Sequence, residues 1–262
     1  MKTPPKAAAE GLDLKRMEES SLNVLQTQRQ LFYDGWLLRL SPGVAKRGRS
    51  VNPHFGSSLP LANKLAYCEN VYTRHGLPTL YRITPWSEPS GLETALVARG
   101  YESFDETLVQ ATRLHRPPAL PDYAADVVIE APDTLAFVEA VGDLRNATPL
   151  QREAHRERLM NSPLDKRHAV VWAGGRVVCT AQVAVEGNLV GLFDVVTAET
   201  ARRRGYATLA CASLLSWAWQ HGAAVAYLQV TAANLPAIAS YRTFGFETVY
   251  TYRYFGRNGE RE

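Results

Sequence analysis

Hydrophobic and polar positions change period several times along the chain, and each change marks an element. Asp13 to Phe32 repeats at helical spacing. Asp34-Gly35 is then a turn signal, Trp36-Leu37-Leu38-Arg39-Leu40 reads as a strand, and Gly48 to Phe55 can pair back on it after a Ser-Pro-Gly turn. Leu61 to His75 is amphipathic and stops at Gly76, Leu77 to Thr84 is extended, Gly91 to Arg99 is a short helix closed by Gly100, and Phe104 to Leu114 is a long β-type run. After a polar stretch the pattern resumes. It gives a strand at Asp126 to Glu130, a helix capped by Asp133 to about Arg145, a charged helix at Pro149 to Met160, and extended segments at Arg167 to Ala173, Arg176 to Glu186 and Leu189 to Thr197. Ala173-Gly174-Gly175 and Glu186-Gly187-Asn188 supply the positive φ that tight hairpins need. The chain closes with a helix from Gly205 to Gln220, a buried-type strand at Val225 to Val230, a helix at Leu235 to Phe244 and a strand at Glu247 to Phe255. This predicts a mixed α/β fold of α+β type, with antiparallel pairs and one βαβ crossover.

Residues 114–125 contain three prolines in five positions, which break helix and strand alike. The division expected from this is a first domain at 1–115, a proline-rich linker at 116–125 and a second domain at 126–262. The 262 residues fit between one and two domains at ~150 residues each. With 46% hydrophobic and 21% charged residues the composition is that of an ordinary globular protein. The net charge of +3 is small and unclustered, which argues against a nucleic-acid partner. Cys68, Cys179 and Cys211 are odd in number and widely spaced, so they read as buried small hydrophobes and not as a disulfide or metal framework. Met1 to Glu10 has no apolar run behind it, and Leu209 to Trp219, the most apolar stretch, is too short for a bilayer. A cytoplasmic protein with no membrane partner is expected.

The chemistry concentrates in two stretches. In the first, the apolar strand Leu189 to Thr197 crosses a short loop, Arg202-Arg203-Arg204-Gly205-Tyr206-Ala207-Thr208, into an apolar helix. Small residues at Gly205 and Ala207 allow close backbone approach. Free N–H groups of a first helical turn, with three arginines beside them, favour an anion such as a pyrophosphate. The competing reading is a solvated basic loop. The loop lacks the Gly-Lys-Ser/Thr of a P-loop and the three spaced glycines of a dinucleotide fingerprint. In the second stretch, Leu228, Val230, Asn234, Ala237, Tyr241, Gly245 and Phe246 form a Leu-x-Val…Asn-x-x-Ala…Tyr…Gly-Phe pattern.

Together the two stretches resemble the GNAT superfamily of acetyl-CoA-dependent N-acyltransferases, and the element order over 126–255 resembles that fold. The resemblance implies a GNAT acyl-CoA N-acyltransferase fold in the second half and acetyl-CoA as co-substrate. Pantetheine would pair with Val195, Val196 and Thr197, and the diphosphate would sit on Arg202, Arg203, Arg204, Gly205, Tyr206, Ala207 and Thr208. An amine would attack the thioester directly, with an N–H near Val195 steadying the oxyanion. Tyr241 aligns with the residue that protonates the leaving thiolate and also contacts the cofactor; the acid role is the favoured reading, and a half-buried helix tyrosine packing on the cofactor is the competing one. Asn234 aligns with a cofactor contact or is a helix N-cap. Asp194, a carboxylate in an apolar strand, is a candidate base or relay, or else a structural hydrogen-bond partner. Glu130 and Glu186 are weaker candidates, and His155 falls on a helix face expected to be solvated. No residue pattern marks a metal site.

Gly91 to Tyr101 resembles the helix-Gly-Phe segment at Ala237 to Phe246, so the first half reads as a degenerate GNAT-like copy or an unrelated α/β cap. Tyr81, Trp86, Glu88 and Glu93 are candidates to line an amine pocket there. The function expected is N-acetylation of a small-molecule primary amine such as an amino sugar or aminoglycoside-like compound, a polyamine or an amino acid. The alternatives are acetylation of a protein lysine or N-terminus, and a non-catalytic CoA-binding scaffold. Homodimerisation through the C-terminal strands is a further implication of the resemblance.

Overall fold

The computed structural model describes residues 9–43 and 45–257. In chain order its elements are α1 (Leu14–Val24), β1 (Gln30–Tyr33), β2 (Trp36–Arg39), β3 (Val51–Pro53), α2 (Leu61–Arg74), β4 (Tyr81–Ile83), α3 (Leu92–Ala98), β5 (Glu102–Arg113), β6 (Val127–Glu130), α4 (Thr134–Leu144), α5 (Pro149–Met160), β7 (Asp165–Ala173), β8 (Arg176–Glu186), β9 (Leu189–Thr197), α6 (Tyr206–Gln220), β10 (Val225–Thr231), α7 (Leu235–Arg242) and β11 (Glu247–Gly256). The predicted mixed α/β class is observed. One prediction fails: α1 ends at Val24, and Gln30–Tyr33 is an edge strand paired with β2. Asp34 and Gly35, at φ 43° and 81°, form the two-residue turn that lets Tyr33 face Trp36, and that pairing overrides the helical spacing of the segment.

All eleven strands of the described residues lie in one sheet, in the order β1-β2-β3-β4-β11-β5-β10-β9-β8-β7-β6. The proline-rich segment 116–124 carries no helix or strand, yet the sheet runs through both halves. β5, from the first half, pairs with β10 and β11, and β11, from the second, pairs with β4. Each half therefore completes the other's sheet. Outward from the β5–β11 pair the two sides repeat the same pairings: antiparallel to β10 or β4, then parallel to β9 or β3, then antiparallel to β8 or β2. α2 and α6 provide the two crossovers. Gly100 and Gly245 end α3 and α7 with φ of 81° and 80°. The residue after each, Tyr101 or Phe246, donates its N–H back into the helix, to the carbonyls of Leu96 and Tyr241. The geometry is that of an internal repeat.

Alternating side chains divide the core between the faces of the sheet. On one face α6 and α7 cover Ala181, Val183, Val190, Leu192 and Leu228. On the other, α1 covers Phe193, Tyr227 and Tyr250, and α4 and α5 cover Val170. The buried carboxylate Glu18 of α1 joins Arg82 of β4 and accepts from Tyr250 of β11 at 2.6 Å, so α1 is locked across the junction of the halves. No helix of the described residues is long and apolar enough to cross a membrane.

Candidate functional site

β9 and β10 run parallel and paired only from Leu189↔Val225 to Leu192↔Leu228. Beyond Leu192, β9 pairs with β8 alone: Val196 faces Thr180 and Thr197 faces Cys179. The cause is a bulge. Asp194 and Val195 together stand opposite Ala181, and Asp194 sits in the left-handed region at φ 48°. The backbone edge of Val195–Thr197 is thereby turned away from β10 and left free to pair with an extended ligand.

This edge forms one wall of a cleft of about 690 Å³, lined also by Arg202, Arg203, Gly205, Tyr206, Ala207 and Thr208 at the start of α6 and by Asn234 and Tyr241 of the α7 segment. Ala201, Pro236, Ala237 and Ser240 complete the lining and were not anticipated from the sequence. Arg204 and Asp194, both anticipated, are outside that lining. Gly205 precedes α6 at φ 80°, and no side chain caps the helix, so its first N–H groups stay available to an anion. A Cβ on Gly205 would lie 2.6 Å from Tyr123 Oη. The hydroxyl of Tyr123, from the proline-rich segment, donates to the Gly205 carbonyl at 2.5 Å and so fixes the loop. A tyrosine inside a linker gives no local sign of this role. These features fit a pantetheine arm ending in a diphosphate.

Asn234 caps α7 through Ala237 N–H at 3.3 Å. Tyr241 is half-buried beside Phe246, and its hydroxyl makes no hydrogen bond among the described residues. Burial and then the nearby thiols push its pKa above the usual phenol range, so the hydroxyl holds its proton. Cys179 is buried and raised to about 11 by that burial, which makes it inert as a nucleophile. Among the described residues no group of side chains could hold a metal ion.

The candidate bases resolve differently. Asp194 accepts from Arg145 at 2.9 Å, His155 at 3.0 Å and Gln182 at 2.8 Å. Burial alone would raise its pKa; His155 and then Arg145 outweigh burial and hold it well below the usual carboxylate range. The carboxylate therefore stays charged, and the structure places Asp194 at the centre of an ion-pair cluster at the bulge. His155, expected on a solvated face, is buried, because α5 turns Ala154, His155, Arg158 and Leu159 inward. Glu186 is held by Arg16 and Asn23, and Glu130 accepts from Trp172. Of the aromatic and acidic residues of the first half, Tyr81 is core, Trp86 packs on Tyr250, Glu93 pairs with Arg253, and Glu88 is exposed, its backbone carbonyl accepting from Trp36.

The corresponding crossover of the first half lacks the cradle. The backbone N–H groups of Ser58 and Leu59, just before α2, donate to Asp34 at 3.0 Å and 2.9 Å. These bonds, Leu59 first, hold the Asp34 carboxyl well below its usual range. The chain carries its own anion where the second half leaves donors free.

Comparison with known proteins places this geometry. Residues 13–255 match the family described as "Probable histone acetyltransferase Rv0428c C-terminal". A Bacillus subtilis (strain 168) protein named as the uncharacterized N-acetyltransferase YobR is 26% identical over 247 residues, covering 92% of this chain and 98% of its own. A GCN5-related N-acetyltransferase from Kribbella flavida superposes with a TM-score of 0.70 at 19% identity, over 94% of this chain and 95% of that one. A tandem GNAT protein from the clavulanic acid biosynthesis pathway superposes with a TM-score of 0.60 at 16% identity, over 74% and 68%.

Proposed function

The chain belongs to the Rv0428c C-terminal family within the GNAT superfamily of N-acetyltransferases, and on that premise we propose that it transfers acetyl from acetyl-CoA to the primary amine of a small molecule. One observation carries the reading: the unpaired edge of Val195–Thr197 and the uncapped start of α6 line a single cleft. The edge suits the amide groups of pantetheine, and the helix start suits the diphosphate. Acetyl-CoA supplies an activated acyl group. The chain's own groups orient it, polarise the carbonyl through the Val195 N–H, and return a proton to the departing thiolate from Tyr241. No protein nucleophile is required, and the buried, inert Cys179 agrees with direct attack by the amine. Free, buried cysteines also fit a cytoplasmic location.

A small acceptor is favoured because the first half covers the opposite face of the strand splay. Arg47 lies there, donating to Gln229 of β10 at 2.7 Å. The family description favours a second reading, acetylation of a protein lysine. Calorimetry with acetyl-CoA, followed by competition between a lysine-containing histone-tail peptide and a panel of small amines, tests both. The proposal expects saturable acetyl-CoA binding and turnover with at least one small amine. Turnover with the peptide alone would replace it with the second reading, and no acetyl-CoA binding would reject both.

A further inference from the structure

The face of the sheet opposite the cofactor cleft carries two arginines, Arg47 and Arg158, that make no ion pair among the described residues. Arg47, on the loop between β2 and β3, donates to Gln229 of β10 and places its guanidinium 5.6 Å from the ring centre of Phe193 of β9. Gln229 and Phe193 follow directly on Leu228 and Leu192, the last residues that join the two strands. Arg47 therefore bridges the mouth of the splay from the first half of the chain.

Arg158 is packed under the same loop. A Cβ on Gly43 would lie 2.9 Å from its Nη1, and one on Gly48 would lie 3.6 Å from its Cδ. Arg158 is only 8% exposed, and its Nε and Nη1 are buried with no hydrogen-bond partner. It stands one turn beyond His155, which contacts Asp194 at the bulge. Beside it is a cavity of about 100 Å³ lined by Thr27, Gln28, Arg29, Ser41 and Glu157 among others. Gln28 donates to Glu157 at 3.4 Å. Asp194 is already saturated by Arg145, His155 and Gln182. A buried guanidinium without a partner costs stability, so its retention points to a ligand that supplies the missing charge.

We propose that the acceptor is an anionic amine of amino-acid type, whose carboxylate is held by Arg47 and Arg158 while its amine enters the splay towards Val195. The inference rests on the transferase reading and narrows its acceptor class, setting aside polyamines and aminoglycoside-like compounds. Two forked guanidinium donors match a carboxylate in geometry and in charge. Burial lowers the pKa of Arg158; the charge of Asp194 opposes it, and the charge of Arg47 adds to the lowering.

The test uses amino acids paired with their carboxamides, such as phenylalanine and phenylalaninamide, as acceptors with acetyl-CoA. The amide's amine is the less basic and so the more fully deprotonated, and intrinsic reactivity alone favours it. The wild type is expected to prefer the acid about 10- to 100-fold in kcat/KM. Arg47→Met and Arg158→Met should each erase the preference with acetyl-CoA Kd unchanged, and Arg47→Lys should restore part of it. The Tm of Arg158→Met should not fall, whereas a purely structural Arg158 would lower it. Equal use of acid and amide, or a preference surviving in both Met variants, overturns the proposal. Calorimetry of N-acetylphenylalanine and its amide against the CoA-loaded protein separates the two readings. If no amine releases CoA but the carboxylate still binds preferentially and Arg158→Met abolishes this, the anion site stands without the transferase reading. Indifference to the carboxylate in binding overturns the site itself.

Discussion

His155 Nε2 lies 3.0 Å from Asp194 Oδ2, joining the buried face of α5 to the bulge of β9. The contact ties the helix pair α4–α5 to the point where β9 leaves β10. With Arg145 and Gln182 it holds Asp194 at φ 48°, and so keeps the edge of Val195–Thr197 turned into the cleft. Asp194→Ala removes a buried charge from its partners and puts a residue less suited to the left-handed region there. A loss of about 3–5 kcal/mol in unfolding free energy is expected, measured by urea denaturation. Asp194→Asn keeps the backbone preference and should lose less.

The same pairing sets a pH dependence. The Asp194 carboxyl titrates below its unfolded value, so the stability it contributes is fully present above the ordinary carboxylate range and is lost as pH falls through and below it. Unfolding free energy measured between about pH 5 and pH 3 should fall less steeply for Asp194→Asn than for the wild type. Equal slopes would remove Asp194 from the account of acid sensitivity.

Gly205 tests the cradle. Any side chain there meets Tyr123 Oη and must adopt a φ of 80°, a strain of roughly 1–2 kcal/mol before any ligand is considered. Gly205→Glu adds a negative charge where a diphosphate would sit. Its acetyl-CoA Kd by calorimetry should rise at least ~100-fold, with Gly205→Ala intermediate. Unchanged binding would place the diphosphate elsewhere.

Tyr123→Phe deletes the hydroxyl that donates to the Gly205 carbonyl at 2.5 Å. One hydrogen bond of about 0.5–1.5 kcal/mol corresponds to a roughly 2- to 12-fold weaker acetyl-CoA affinity, with Tm nearly unchanged. A large fall in Tm with affinity intact would make the contact purely structural.

Tyr241→Phe separates proton transfer from packing. The ring and its contact with Phe246 remain, while the phenolic proton of Tyr241 is lost. The expectation is a fall of ~10²-fold or more in kcat with acetyl-CoA Kd within about two-fold. Equal turnover would leave Tyr241 as a packing residue.

The features legible in the sequence are the local ones. The strand Leu189–Thr197, the basic loop and α6 follow one another in the chain, so pattern and spacing suffice to place them. Tyr123, His155, Arg47 and Arg158 reach the same region from distant segments. Their roles depend on which helix face is buried and on which loop lies over the splay, and neither is written in a local period. The interleaving of β5 and β11 has the same cause. Each reads correctly as a strand, but the partner of a strand is chosen by its backbone edge, which side-chain alternation does not encode. Asp194 stood out as a carboxylate in an apolar strand, and only its three donors show that it anchors the bulge.

The most direct test of the central claim is thiol release from acetyl-CoA by the purified wild-type protein, read alongside mass spectrometry of the acceptor. Amine-dependent CoA release with an equal amount of N-acetylated product, lost in Gly205→Glu, is the predicted result. Release that no amine in the panel stimulates above background hydrolysis, or stimulation that survives Gly205→Glu, would contradict it.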